Sequence, residues 1–213
     1  MDYVFKILPP MLEGSIVTLQ LFFLTLALAL PLGIILALAR MSKFKPLNVF
    51  MQFYTWVFRG TPLLLQLFFV YFGLMIVGHR VEPFTAASIA FVFNYSAYLA
   101  EVFRAGIQSI DKGQYEAADV LGLTRVQTMT KIILPQMFKR VIPPLSNEVI
   151  NLIKDTALVY AIAISELLRA AKNAAVRDDT FVPFIVAACF YLIMTAVIQL
   201  FFKWLENKYD YYR

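Results

Sequence analysis

Glu148, Asn151 and Asp155 fall at i, i+3 and i+7 in the run NEVINLIKDTAL, Asn147 to Leu158. At 100° per residue the three share one face of a helix. Two carboxylates about two turns apart, with a carboxamide between them, have two uses: they can do acid/base work, or they can hold a cation. A second stripe, Asn94, Tyr98 and Glu101 at i, i+4 and i+7, offers an amide, a phenol and a further carboxylate, and Gln66 adds another amide. The enzyme reading lacks its usual companions. His79 is the one histidine and Cys189 the one cysteine, so there is no disulfide pair and no metal cluster of the common ligand types, and no Ser/His constellation stands out. No G-x-x-x-x-G-K-[ST] pattern occurs, so any ATP involved must be bound by another chain.

The segments that must position these groups are strongly apolar. The 213 residues are 61% apolar with a mean hydropathy of +0.71, which points to a membrane. Spans are expected at about 14–39, 62–77, 84–103, 143–165 and 182–202, giving an all-α integral membrane protein with a single domain over 1–213. The acidic start, Met1-Asp2, lacks the basic region of a cleaved signal peptide. Thr61 and Pro62 suit the N-cap and first helical position of the second span. Residues 46–58 are uncharged and aromatic, and read either as an interfacial helix or as a cytoplasmic extension of that span.

Five spans put the ends on opposite sides, and basic residues choose which. With the N-terminus outside, the inner segments hold Arg40, Lys43, Lys45, Arg59, Arg104, Lys112, Arg125, Lys131, Lys139, Arg140, Lys203, Lys208 and Arg213, thirteen of the 19 basic residues. The outer ones hold Lys6, Arg80, Arg169, Lys172 and Arg177, and Lys154 lies within a span. The C-terminus is then cytoplasmic. Topology accounts for the net charge of +5, and the nucleic-acid reading falls away.

The 143–165 span is poor on its own. Each ionisable side chain at a span centre costs roughly 2.5–3.5 kcal/mol on insertion scales, against about 0.3–0.6 kcal/mol returned by a Leu. It must be shielded, with Glu148, Asn151 and Asp155 turned toward protein or water. Lys154 points about 100° away from Asp155, so the neighbours do not pair naturally. Asn94, Tyr98 and Gln66 are placed to converge with the stripe on a polar cavity at mid-membrane depth. Packing accounts equally well for Tyr98, Asp155 has a structural alternative in Lys154 of a partner subunit, and Glu101 has Arg104 one turn away. An excess of acid favours a cation.

Residues 108–138 look soluble. Gln114 to Leu121 can form a short helix that ends at Gly122, where a left-handed residue is wanted. Thr124 and Gln127 have capping-box spacing for a second helix, and Pro135 interrupts its onward run. The Ala117–Ala118 pair removes bulk, so another surface can approach.

This stretch matches E-A-A-x3-G-x9-I-x-L-P at Glu116, Ala117, Ala118, Gly122, Ile132, Leu134 and Pro135. It resembles the signature of the integral-membrane subunits of bacterial ABC importers. Arg59-Gly60-Thr61-Pro62 with Gln66, the run Tyr98 to Arg104 leading into Gly113 to Glu116, and Lys154-Asp155-Thr156-Ala157-Leu158 resemble motifs of the polar amino acid permeases, with Ala157 where Ser is common. The resemblance implies a type I importer fold in the bacterial inner (plasma) membrane. It implies a coupling helix, Tyr115, Glu116, Ala117, Ala118, Leu121 and Gly122, docked on a separate ATPase dimer that carries the ATP and magnesium; this chain needs no cofactor of its own. It also implies a second membrane subunit, either a copy or a paralogue, and an extracytoplasmic amino acid binding protein. Combined with the acidic stripe, it gives a permease for basic amino acids, arginine, lysine or histidine. A non-basic polar amino acid such as glutamine is the alternative, ahead of an intramembrane enzyme or a passive channel.

Overall fold

The computed structural model describes residues 2–209. Met1 and residues 210–213, Arg213 of the charge count among them, lie outside the described residues. Those residues fold into helices and short connections without a strand. Helix α1 (Asp2–Arg40) begins well before the expected span and carries Pro9, Pro10 and Pro31 within it. Its buried residues recur every three or four positions, Met11, Ser15, Thr18, Phe22, Thr25, Ala29, Gly33 and Ala37, which makes a stripe of mostly small side chains. The Ser15 and Thr18 hydroxyls donate back to the carbonyls of Met11 (2.8 Å) and Gly14 (3.1 Å), so neither is left unpaired in the apolar contact.

That stripe packs along α5 (Pro83–Gln108), the central helix. Close approach is required: a Cβ on Gly33 would lie 2.8 Å from Leu99 Cβ. On its other flank α5 meets α8 (Leu134–Asp155), and a Cβ on Gly106 would lie 2.2 Å from Val141 Cγ1. Buried Met137, Val141, Ile142, Val149, Leu152 and Ile153 form the apolar side of α8, which packs on α5 and on α10 (Val182–Tyr209). The helix runs unbroken through Pro143 and Pro144, so it starts nine residues before the expected span, and a 3-10 turn over Thr156–Ile162 follows it. Helix α9 (Leu167–Asp178) is capped by buried Glu166, which accepts from the amides of Leu168 (2.6 Å) and Arg169 (2.7 Å).

Between α1 and α5 the chain makes an elbow. Helix α2 (Lys45–Gly60) covers the uncharged aromatic stretch. It turns by 104° into a segment made of α3 (Leu63–Phe68), a π-helical turn (Phe69–Gly73) and α4 (Leu74–Ile76). Residues 46–58 are therefore no straight extension of the second span. Thr61 does not cap α3 as expected: its hydroxyl donates back to Val57 O (2.8 Å), and extended Pro62 occupies the cap position.

Among the described residues, three helices are long and apolar enough to cross a membrane, α1, α5 and α10, and the bent pair adds a fourth if it is one span. Helix α8 falls short because it carries Lys139, Arg140, Glu148, Lys154 and Asp155.

Residues 108–138 form the hairpin. Asp111 caps α6 (Lys112–Val120) by accepting from Gly113 N at 2.7 Å, so the helix begins two residues before Gln114. Gly122 ends it at φ +70°. Leu123 N donates to Ala118 O and Gly122 N to Asp119 O, both at 3.0 Å, the paired bonds of a Schellman ending. Thr124 and Gln127 form the reciprocal capping box that opens α7 (Arg125–Gln127). A π-helical turn over Thr128–Ile133 then joins α7 to α8, so the helical path widens just before Pro135 and continues past it.

The α5–α8 contact yields a test. Gly106→Ala forces a methyl against buried Val141, and overpacking of that kind costs about 1–3 kcal/mol. Gly60→Ala meets nothing within 4 Å and is expected to stay within about 0.5 kcal/mol of the parent. Thermal unfolding in detergent should lower the midpoint for the first variant alone.

Candidate functional site

The elbow and α5 are joined by amides. Gln66 Nε2 donates to the carbonyls of Phe58 (2.9 Å) and Thr61 (3.1 Å) and to Thr61 Oγ1 (2.8 Å). Asn94 Nδ2 donates to Phe58 O (2.9 Å) and to Gln66 Oε1 (3.0 Å). Two side chains thus satisfy the end of α2, where helical carbonyls would otherwise be orphaned. Gln66 does not line the cavity behind this wall; its amide holds the wall in place. Asn94 reaches both the wall and the cavity behind it.

That cavity has a volume of about 360 Å³. Glu148, Asn151 and Asp155 of α8 line it together with Asn94 and Tyr98 of α5 and Thr61 of the elbow. Five of the six side chains singled out for substrate therefore meet in one space, suited in size to one small molecule. The i, i+3, i+7 geometry of α8 brings this about. Its apolar face is held by α5 and α10, which leaves Glu148, Asn151 and Asp155 on the side that meets the cavity. Lys154 is exposed, on a different side of α8 from Asp155.

Sequence reasoning missed Tyr95. Its hydroxyl donates to Asp155 Oδ2 at 2.7 Å, and its ring is buried. The signal was present: Tyr95 lies three residues before Tyr98, on the same side of α5. Holding one oxygen of Asp155, it orients the carboxylate and leaves the second oxygen to other partners. Glu148 has no such support. Among the described residues it makes no hydrogen bond or ion pair, and it lines the cavity half-exposed.

A second cavity, of about 480 Å³, shares Tyr98 and Glu148 with the first. Its other lining residues include Arg59, Glu101, Arg104 and Arg140. Glu101 gathers three arginines from three helices. Arg40 Nε and an Arg104 terminal nitrogen each approach it at 2.7 Å, and Arg59 stands at 3.8 Å. The Arg104 pairing is the one its spacing suggested; Arg40 and Arg59 are distant in sequence and gave no sign. A larger recess of about 670 Å³ between α2 and the end of α1 holds Arg40 and Arg59 but no carboxylate, so it does not suit a cation.

The hairpin presents a mixed surface. Val120 (88% exposed), Leu121 (76%) and Val126 (70%) are large apolar side chains in the open. Glu116, Ala117 and Gly122 are also exposed, while Tyr115 is half-buried. The two alanines part company: Ala117 faces outward, but Ala118 is 2% exposed and faces the chain's own body. Small size at 118 serves the hairpin's packing on its own protein.

Comparison with known proteins follows the same lines. A model of the binding-protein-dependent transport system inner membrane component family matches residues 29–211. The chain is 39% identical over 212 residues to the "Putative glutamine transport system permease protein GlnP" of Rickettsia bellii (strain RML369-C), covering 97% of each. It is 40% identical over 203 residues to the arginine transport system permease protein ArtQ of Bacillus subtilis (strain 168), covering 94% of this chain and 93% of that one. A crystal structure of an amino acid ABC transporter with histidines superposes with a TM-score of 0.91 at 39% identity, over 96% of both chains. The helical bundle, the motifs and these likenesses agree: the chain belongs to the family of binding-protein-dependent transport system inner membrane components and is a multi-pass inner-membrane permease.

Proposed function

We propose that this permease is the membrane subunit of an ATP-driven amino acid importer and that its substrate is a basic amino acid, arginine, lysine or histidine. The observation that carries the proposal is the 360 Å³ cavity in which Glu148 and Asp155 stand with Asn94, Asn151 and Tyr98. An amino acid brings one ammonium and one carboxylate. Two acids at the site leave one for a cationic side chain, while the Asn151 amide can donate to the substrate's carboxylate. A neutral amino acid would leave one carboxylate uncompensated in a low-dielectric space, which is unfavourable. Relatives named for glutamine and for arginine both exist, so the family alone does not choose.

The proposed topology has five spans: α1, the α3–α4 segment, α5, α8 with its 3-10 extension, and α10, with the N-terminus outside. The hairpin is then cytoplasmic, and its exposed Val120, Leu121 and Val126 form the apolar surface that docks on the ATPase subunit. In this reading a second membrane subunit completes the pathway and an extracytoplasmic binding protein delivers the substrate, while ATP and magnesium stay on the ATPase dimer.

Uptake of labelled arginine per unit of folded complex tests the site. Glu148→Gln keeps shape and removes charge; the lost charge-assisted bond is worth about 1.5–3 kcal/mol, roughly one to two decades of affinity. Asn151→Ala removes a neutral partner and should cost about 0.5–1.5 kcal/mol. Unchanged uptake in Glu148→Gln, with destabilised protein, would make the stripe scaffolding.

Topology is tested by labelling. After exposed Cys189 is changed to Ser, a cysteine at Lys172 should react with an impermeant reagent from outside and one at Lys112 should not. The reverse pattern would overturn both orientation and docking.

Coupling is tested at the corner. Gly122 holds φ +70°, so Gly122→Val introduces about 1–2 kcal/mol of local strain without a clash. The variant should insert normally and lose ATPase association; full transport by it would remove the corner from the mechanism.

A further inference from the structure

An arginine stands beside the proposed acidic site. Arg59, near the end of α2, lines the same 480 Å³ cavity as Glu148. Its guanidinium carbon lies 5.3 Å from the centroid of the Tyr98 ring, and its backbone carbonyl accepts from the Tyr98 hydroxyl at 3.3 Å. Tyr98 and Glu148 are the residues at which the two cavities meet. Arg59 is thus held at the inner boundary of the space that would contain the substrate.

Glu101 has little use for this third cation. Arg40 and Arg104 already approach it at 2.7 Å, while Arg59 is 3.8 Å away. The Arg59 side chain is 43% exposed, against 20% for Arg40 and 25% for Arg104. It is the loosest member of the cluster, on a long stem. The other carboxylate of its cavity, Glu148, makes no hydrogen bond or ion pair among the described residues and lies within electrostatic range of Arg59. Charges that share a partly desolvated cavity interact far more strongly than they would in bulk water.

The geometry assigns Arg59 the role of an internal competitor for Glu148, a residue that sets how tightly the permease holds the substrate's cation. This rests on the reading of Glu148 as the cation's partner. A cationic substrate engages Glu148 only by displacing the attraction of Arg59 for that carboxylate. Its net affinity is lower than two carboxylates alone would give, which favours release once the inner side opens. The same charge disfavours rebinding from within, because the vacated carboxylate already has a cation nearby. A role as ligand for the substrate's own carboxylate, or as one more strut of the Glu101 cluster, makes opposite or null predictions for affinity.

The test is equilibrium binding of labelled arginine to the complex of this chain with its ATPase partner, in lipid nanodiscs without nucleotide, for the parent, Arg59→Gln, Arg59→Lys, Glu148→Gln and the Arg59→Gln/Glu148→Gln pair. Arg59→Gln should tighten binding about tenfold, and Arg59→Lys, which keeps the charge, should remove most of that gain. The tightening should vanish in the Glu148→Gln background, since a competitor has no effect once its target is gone. Affinities are referred to correctly folded complex, so a loss of stability does not imitate a change of binding. Weaker or unchanged binding in Arg59→Gln, or tightening that survives in the double variant, overturns the competitor role. If Glu148→Gln weakens binding while Arg59→Gln does not tighten it, only the role of Arg59 falls. If Glu148→Gln alone leaves binding unchanged, the cation site itself falls, and the competitor with it.

Discussion

A carboxylate inside an apolar helical bundle needs a partner or a wet cavity, and the structure is arranged around that constraint. The described chain has four acidic side chains to accommodate in its interior, and it treats them differently. Glu166 is fully buried and is satisfied by the first amides of α9 and by the Tyr191 hydroxyl at 3.2 Å. Glu101 is neutralised by Arg40 of α1 and Arg104 of its own helix, both at 2.7 Å, so one charge ties α1 to α5. Asp155 is half-satisfied by Tyr95. Glu148 alone is left to a cavity. The order runs from structural to available, and the available end is where chemistry with a ligand belongs.

The packing follows from the same constraint. Helix α8 carries too much charge to stand by itself in lipid, so its apolar side must be covered. Gly106 lets α8 come close to α5, Gly33 does the same for α1, and the strongly apolar α10 closes α8 from the other side. The elbow at Thr61 completes the enclosure. Its 104° turn would leave carbonyls unpaired, and Gln66 and Asn94 spend their amides there. A polar network of this kind rigidifies the wall only if every member is satisfied.

Much of this was legible in the sequence because it rests on local rules. The α8 stripe follows from helical periodicity, Gly122 and the Thr124–Gln127 box from the chemistry of helix ends, and the Glu101–Arg104 pair from i, i+3 spacing. The motifs of the hairpin pointed to the family that the comparisons establish. Other features depend on contacts between distant segments and left no local trace. The reach of Tyr95 to Asp155 spans 60 residues, and Arg40 comes to Glu101 from another helix. Thr61 turned back to α2 because a carbonyl there was within reach, so a plausible cap became a strut. The inward-facing Ala118 shows the same limit: composition told that the position must be small, but not which surface demanded it. Helix α8 begins nine residues before the expected span because it runs unbroken through Pro143 and Pro144.

The decisive property of the cavity is its preference for a second positive charge. The direct measurement is displacement of labelled arginine from the purified importer complex by a panel of unlabelled amino acids of similar size. Two carboxylates and no basic residue in the cavity lining predict that arginine, lysine and protonated histidine displace the label, that glutamine does so weakly, and that glutamate does not. Displacement by glutamine as effective as that by lysine would contradict the account, because the second carboxylate would then have no cation to meet.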